Sequence, residues 1–179
     1  MPFVFIVKYY KSWYNISNIK RGEEKMKLSL KQLLGIAGVI LGVLAIVLLF
    51  APVIKVNVFG FKDSFNGFDV YFGKEDDLFK ASAGGIITFV LLVVVLCASI
   101  LKFCLPKYIK ILNFCIIVCG VLAAIFLFMG CTSFMVNIKN YDFDDVKDYC
   151  DLGVGAIMSA IFALCAAAVA CFDEFFVKK

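Results

Sequence analysis

Residues 152–172, LGVGAIMSAIFALCAAAVACF, contain no charged side chain and would be apolar on every face of a helix. Three further stretches are also free of charge, and they cover residues 32–54, 81–101 and 111–138. A helix rises about 1.5 Å per residue, so about 20 apolar residues cross a hydrocarbon layer of about 30 Å. All four stretches meet this length and therefore predict four transmembrane helices.

The composition favours a membrane protein over a soluble helical one. Hydrophobic residues make up 63% of the 179-residue chain and charged residues 18%, below the roughly 25% of ordinary globular domains. Helices buried in a soluble protein are usually shorter and carry a polar face, which none of the four stretches has. We therefore expect an all-α membrane protein, a four-transmembrane-helix bundle that lies as a multi-pass protein in the cell membrane.

The charged clusters between these stretches define the expected segments. The chain would begin with an N-terminal segment at 1–30 and end with a tail at 173–179. The spans and the segments that join them are expected at 31–52 (span one), 53–81 (outer loop 1), 82–103 (span two), 104–108 (a short link), 109–131 (span three), 132–152 (outer loop 2) and 153–172 (span four).

The charges favour an orientation with both termini inside. Twelve of the 18 Lys and Arg residues lie in the N-terminal segment, the link and the tail or at the span ends beside them, whereas ten of the 14 acidic residues lie in the two outer loops. Because positive residues near span ends favour the cytoplasmic side, we predict an N-in/C-in topology. The basic residues then serve as anchors to anionic lipid, and the net charge of +4 gives no argument for nucleic-acid binding.

The N-terminal segment allows two interpretations. Residues 21–25, RGEEK, are what a purine-rich ribosome-binding site would encode, and MKLSLK from Met26 resembles a natural bacterial N-terminus. On that interpretation residues 1–25 are not translated. The alternative is a real interfacial segment, since Trp13 and its neighbouring tyrosines lie among lysines. With one arginine, many lysines and no histidine, the chain suits a bacterium with an AT-rich genome.

Small residues predict how the spans pack. Between helices in lipid, close backbone approach replaces hydrophobic burial as the driving force. Span four has a small residue at every fourth position, which forms a stripe of Gly155, Ser159, Ala163, Ala167 and Cys171. Span one offers Gly38 and Gly42 at the same spacing, and span three offers Gly120 and Ala124. We predict that the stripe packs span four in the bundle interior or against span one; the alternative is a homo-oligomer face.

Strand patterns in the outer loops predict a small outer β-hairpin or sheet. Asn66-Gly67 lies between apolar residues, which indicates a hairpin turn because both residues accept positive φ; residues 68–72 would form the return strand. Residues 136–138 of outer loop 2 echo residues 56–58 of outer loop 1, so we expect both loops to share one sheet. The many Phe and Tyr residues here would form an aromatic belt at the headgroup level or, alternatively, a surface that binds a partner or lipid.

Outer loop 2 contains closely spaced acidic residues and two flanking cysteines. A helix would place the aspartates on one face, where carboxylates of this density can hold calcium; they are Asp142, Asp145, Asp148 and Asp151, with Asp144 beside them. No EF-hand spacing or turn glycine is present, so we interpret them as a solvated acidic loop. Cys131 and Cys150 bracket the loop, where the alternatives are free thiols or, in an oxidising compartment, a disulfide.

The other six cysteines lie in or beside the spans, where a free cysteine behaves as a small apolar residue. Cys115 and Cys119 are one helical turn apart, but no histidine or acid accompanies them, so no metal site is predicted. The chain has no Cys-x-x-Cys pair, which argues against a membrane thiol oxidoreductase.

Charged residues are missing from the centre of every predicted span. Ion- and proton-coupled carriers usually place such residues there, and the four-span small multidrug transporters use an embedded carboxylate. The polar side chains in the spans are Thr88, Ser99, Asn113 and Ser159, which we expect to form local hydrogen bonds. With no histidine, no nucleophile–base pair can be named. We therefore predict that the protein is not an enzyme and has no catalytic residues, cofactor or metal.

The order of the predicted parts resembles the claudin-type four-span arrangement, with a longer first outer loop that contains strands and a shorter second one. Outer loop 1 has neither the Trp nor the paired Cys of that family, so no family is assigned. We expect a structural component or an accessory subunit that contacts the lipid bilayer and a membrane-protein partner. The alternative is a channel or transporter component that forms by homo-oligomerisation.

Overall fold

A computed structural model describes residue 30 and residues 32–58, 61–73, 79–132, 134–138 and 149–175. Met26 and the aspartates at 142, 144, 145 and 148 lie outside the described residues, so the predicted start and the acidic loop are not covered. In chain order the elements are α1 (Gln32–Phe50, with a 3-10 last turn at Leu48–Phe50), β1 (Pro52–Val58), β2 (Phe61–Asn66), α2 (Gly67–Phe72), β3 (Phe79–Lys80), α3 (Ala83–Cys104), α4 (Ile109–Phe128, preceded by a 3-10 turn at Pro106–Tyr108), β4 (Asn137–Ile138), β5 (Cys150–Leu152) and α5 (Val154–Phe175).

Within the described residues, four helices are long and apolar enough to cross a membrane: α1, α3, α4 with its preceding turn, and α5. α3 and α5 have 22 residues each, which corresponds to about 33 Å at about 1.5 Å per residue. Large apolar side chains point outward, and Ile111 and Phe114 are 67% and 69% exposed. These lengths and compositions confirm the prediction of four helices that are long and apolar enough to span a membrane.

The helix α5 is the most enclosed of the four described long helices, and its small residues explain why. At its contact with α4, a Cβ placed on Gly120 would lie 3.0 Å from the carbonyl oxygen of Ala163 and 3.3 Å from the Cβ of Ala167. Further along α5, Ser159 donates a 2.7 Å hydrogen bond to the carbonyl oxygen of Ala45 in α1. The prediction that the small stripe packs span four in the bundle or against span one is confirmed, and both contacts occur.

The helix α1 is the least enclosed of these helices, and its small residues lie against α3. Gly38 faces Ser99, and Gly42 faces Leu96. The small face of span one therefore packs against span two, while α4 packs against both α3 and α5.

The bundle has two different ends. We call the end where α1 and α4 finish and α3 and α5 begin the loop end, and the end where residues 105–108 join α3 to α4 the link end. At the loop end, β1 pairs antiparallel with β2 and with β5, in the order β2-β1-β5. Because β5 lies in outer loop 2, the prediction that both outer loops contribute to one small sheet is confirmed. Residues 137–138 instead pair with β3 in a separate two-stranded ladder.

The predicted turn at Asn66-Gly67 is wrong, because Asn66 ends β2 and Gly67 begins the helix α2, while β1 and β2 pair from Val58 and Phe61 back to Pro52 and Asn66. The Asn66 side chain caps α2: its Oδ1 accepts a 2.9 Å hydrogen bond from the Asp69 N–H, and its Nδ2 donates to Asp69 Oδ2 at 2.8 Å. A Cβ on Gly67 would lie 2.9 Å from the carbonyl oxygen of Leu49. Asn66 and Gly67 therefore serve capping and close packing, and the predicted return strand is helical.

Candidate functional site

The polar side chains of the spans fall into two groups. Thr88 and Ser99 each donate a 2.8 Å hydrogen bond to the carbonyl oxygen four residues earlier in their own helix, as predicted. Ser159 and Asn113 bond instead to other helices, so the expectation of local bonding is wrong for these two. Both are fully buried, where helices pack closely enough for a short side chain to reach its neighbour.

A buried ion pair joins α3 to α5 at the link end. Lys102 Nζ lies 2.8 Å from Asp173 Oδ2, and the two side chains are only 9% and 6% exposed. Charges held away from water are costly unless each is paired. The ion pair therefore makes the last turns of two helices depend on each other.

Asn113 of α4 extends this ion pair into a polar cluster, which we define as Lys102, Asn113, Asp173 and Glu174. Asn113 Nδ2 donates to Asp173 Oδ2 at 3.3 Å and to Glu174 Oε2 at 3.5 Å. Asn113 Oδ1 is buried and has no hydrogen-bond partner among the described residues. The polar cluster thus connects three helices and keeps one hydrogen-bond acceptor unused.

Chain direction and helix dipoles explain the composition of the polar cluster. Lys102 lies in the last turn of α3, where a positive charge is favoured by the helix dipole. Asp173 lies in the last turn of α5, where a negative charge is disfavoured, and the nearby Lys102 offsets this effect. Because α4 begins just after the link, Asn113 lies near the same end of the bundle.

The polar cluster was missed by sequence reasoning because that reasoning examined the centres of the spans. Lys102 and Asp173 lie at span ends and far apart in the chain, so no local pattern pairs them. The predicted span four ends at residue 172, whereas α5 continues to Phe175. The polar cluster could have been found from the predicted topology. A short link and four antiparallel spans bring residues near 102, 113 and 173 to the same end of the bundle.

The polar cluster has limited chemical capacity. Lys102 and Asp173 satisfy each other, so neither is arranged as the base of a nucleophile. Among the residues that the structure describes, no group of three or more His, Cys, Asp or Glu side chains could hold a metal ion. The arrangement holds the ends of three helices together and leaves one buried hydrogen-bond acceptor, Asn113 Oδ1.

A second group of titratable side chains lies at the loop end. Cys131 and Cys150 are free thiols in the structure. Burial, and then the neighbouring Cys150 and Asp151, raises the pKa of the Cys131 thiol to about 11, while burial and then Asp151 raise the pKa of Cys150. The Tyr71 hydroxyl is buried without a hydrogen-bond partner among the described residues, and burial, followed by Cys131, raises its pKa.

Phenylalanine rings line the bundle where it meets the sheet. Phe68 stacks on Phe50 with ring centroids 4.5 Å apart and on Phe72 at 5.5 Å, while Phe89 meets Phe68 and Phe72 edge-on. Phe50 remains 63% exposed. This ring cluster links α1, α2 and α3; its location at the headgroup level and its use as a binding surface stay predictions.

No protein-family model, no curated protein and no solved structure matches the chain. The class is therefore defined by the fold itself: a mostly helical protein with four helices long and apolar enough to span a membrane and a small three-stranded sheet at one end of the bundle.

Proposed function

We propose that this protein is a multi-pass protein of a bacterial cell membrane that acts without catalysis, as a structural component or an accessory subunit. Its N-in/C-in orientation places the link end in the cytoplasm and the loop end outside. The exposed Lys107 and Lys110 at the link end support this orientation, together with the Lys and Arg residues that precede α1 in the sequence. In this role the loop end contacts a membrane-protein partner.

The observation that carries the proposal is the attachment of the sheet to the bundle. Val53 and Ile54 of β1 are fully buried and belong to the same apolar core as Leu49 of α1. The backbone N–H of Gly153, just before α5, donates a 2.7 Å hydrogen bond to the carbonyl oxygen of Val53. A segment that only connects two spans does not need to share an apolar core with them. The ordered sheet therefore supports a role in which the loop end binds a partner.

The sheet also offers edges to a partner. Within the described residues, β2 and β5 each pair only with β1. An edge strand presents N–H and C=O groups that can pair with a strand of another protein. Asp63 and Ser64 of β2 are exposed, which favours a contact through this edge.

Photo-crosslinking in native membranes tests the proposal. A benzophenone amino acid replaces Ser64 on β2, and in a matched control it replaces Phe114, an outward residue of α4 that is 69% exposed. We expect the Ser64 variant to form an adduct with a single protein other than this chain and the Phe114 variant to form none. If Ser64 gives no protein adduct, or gives adducts with copies of this chain alone, the accessory role is wrong.

The alternative function is a channel or transporter component built from several copies. The polar cluster favours it, because charged side chains buried in membrane proteins commonly mark an ion or substrate path. The same experiment separates the two functions. A ladder of cross-linked copies that stops at a defined number, formed from Phe114 on the bundle surface, supports the assembled channel and opposes the accessory role.

A further inference from the structure

The end of α4 lies directly against strand β5. A Cβ placed on Gly130 would lie 3.7 Å from Cδ2 of Leu152. Successive side chains of a strand point to opposite faces, so Cys150 lies on the same face of β5 as Leu152. Cys131 follows Gly130 in the chain, so its backbone lies near the part of β5 that carries Cys150.

The surroundings of the two thiols are apolar on one side and charged on the other. Cys150 is 8% exposed and Cys131 is half-buried. The titratable groups that influence one another here are Tyr71 of α2, whose pKa is raised by burial and then by Cys131, and Asp151 of β5, which adds to the effect of burial in raising the pKa of both thiols. Lys55 of β1 is in register with Asp151, and both lie on the face of the sheet opposite Cys150. Because electrostatic effects decline with distance, the influence of Cys150 on Cys131 agrees with the closeness that the backbone geometry indicates.

We propose that Cys131 and Cys150 form a disulfide by exchange with a low-molecular-weight disulfide. The thiolate of one cysteine attacks the small disulfide and releases one small thiol, leaving a mixed disulfide. The thiolate of the other cysteine then attacks the protein sulfur of that mixed disulfide and releases the second small thiol. The two cysteines are oxidised and lose two hydrogens, the small disulfide is reduced to two thiols, and one S–S bond replaces another.

The new bond joins the end of α4 to β5 and closes residues 132–149 into a covalent loop. This modification would tie together the two ends of the segment between Cys131 and Cys150. It is independent of the proposed partner and of the proposed orientation, because the exchange depends only on the two thiols and the small disulfide.

The pair Cys115 and Cys119 provides an internal control. Their sulfur atoms lie 3.9 Å apart, but the two residues are one turn apart on α4. At that spacing the Cβ atoms lie about 5–6 Å apart, which exceeds the roughly 3.5–4.5 Å of a disulfide. The helix therefore opposes a bond between Cys115 and Cys119 even though their sulfurs are close.

Mass spectrometry of the purified full-length protein in detergent tests the proposal. The protein is incubated with oxidised glutathione, remaining thiols are blocked with N-ethylmaleimide, and the digested peptides are identified. We expect a linked pair of peptides that contain Cys131 and Cys150, lighter by two hydrogen atoms than the two free peptides together. The double variant Cys115→Ala/Cys119→Ala should give the same linked pair.

The single variants Cys131→Ser and Cys150→Ser should lose the linked pair, and the remaining cysteine of each should carry glutathione instead. Because burial raises the pKa of Cys131 to about 11, the rate in the unmodified protein should rise about tenfold for each pH unit from neutral pH upward. If the unmodified protein keeps two separate glutathione adducts or two blockable thiols at these positions, the proposal is wrong. A rate that does not depend on pH would also overturn it.

Discussion

The two ends of the bundle are held together by different kinds of interaction. At the link end, three helices meet through side-chain charge and one amide, in the polar cluster of Lys102, Asn113, Asp173 and Glu174. At the loop end, the helices continue into strands that share many backbone hydrogen bonds and one apolar core. An ion pair is lost as soon as one partner is removed, whereas the stability of a sheet depends on many hydrogen bonds and contacts. We therefore expect single substitutions to have their largest effects at the link end.

The largest effect is expected from Lys102→Met, which leaves Asp173 buried without its partner. Removing one member of a buried ion pair costs about 3–5 kcal/mol, so the free energy of unfolding in detergent should fall by about that amount. Denaturant titration measures it. Lys107→Met, an exposed change near the same end, serves as the control and should alter stability by about 0.5 kcal/mol or less.

The double variant Lys102→Met/Asp173→Leu sharpens this prediction. Replacing both partners of a buried ion pair by apolar residues is often neutral, so the double variant should recover most of the lost stability. A double variant as unstable as Lys102→Met would show that the ion pair is not the cause of the loss.

A smaller effect is expected between the two ends, from Ala163→Phe in α5. Ala163 is fully buried and its carbonyl oxygen approaches Gly120 of α4, so a ring would push the two helices apart. Overpacking of this kind typically costs about 1–3 kcal/mol, seen as a lower melting temperature in detergent. Leu164→Phe adds a ring at the next position, which is 40% exposed, and should leave the melting temperature unchanged. Equal melting temperatures for the two variants would contradict close packing between α4 and α5.

At the loop end, Asn66→Ala should cost about 1 kcal/mol, because it removes the N-cap of α2. The change is smaller than at the link end because the sheet and core remain. Hydrogen exchange of the α2 amides measures the local effect, and these amides should exchange faster. Asn57→Ala, an exposed change in β1, is the control. If both variants leave α2 exchange unchanged, capping by Asn66 is unimportant.

The smallest effect is expected from Ser159→Ala, which removes the hydrogen bond from α5 to Ala45 of α1. Cross-helix hydrogen bonds in membrane proteins average about 0.6 kcal/mol. Ser99→Ala is a matched control, since Ser99 is also buried but bonds within its own helix. Denaturant titration should show a loss only for Ser159→Ala, and a larger loss for Ser99→Ala would reverse the assignment.

The spans and their contacts were predictable because they depend on patterns that repeat along one helix. Charge-free length identifies a helix that can span a membrane, and the stripe through Ser159 and Ala163 identifies the face that approaches its neighbours. Both properties belong to short stretches of the chain, so no knowledge of distant residues is required. The shared sheet was predicted only in outline. Alternating apolar residues such as Val56 and Val58 indicate β1, but residues 137–138 pair with β3 instead, and the strand of outer loop 2 that joins the sheet is β5, which was not predicted.

The polar cluster and the α2 cap were not predictable from local patterns. Lys102 and Asp173 form an ion pair only because antiparallel helices bring the two span ends together. In the sequence each resembles an ordinary charge at a span end. Asn66-Gly67 favours a hairpin turn because both residues accept positive φ. It also favours a helix start because an Asn side chain can cap a helix N-terminus. The contact of Gly67 with Leu49 selects the helix start, and that contact comes from tertiary packing.

The connections that join α1 to β1 and β5 to α5 are very short. Only Ala51 separates α1 from β1, and only Gly153 separates β5 from α5. Since β1 is hydrogen-bonded to β5, the ends of α1 and α5 are joined through two paired strands at the loop end. We therefore expect a tilt of either helix, such as a change in bilayer thickness would demand, to rotate the strands with it.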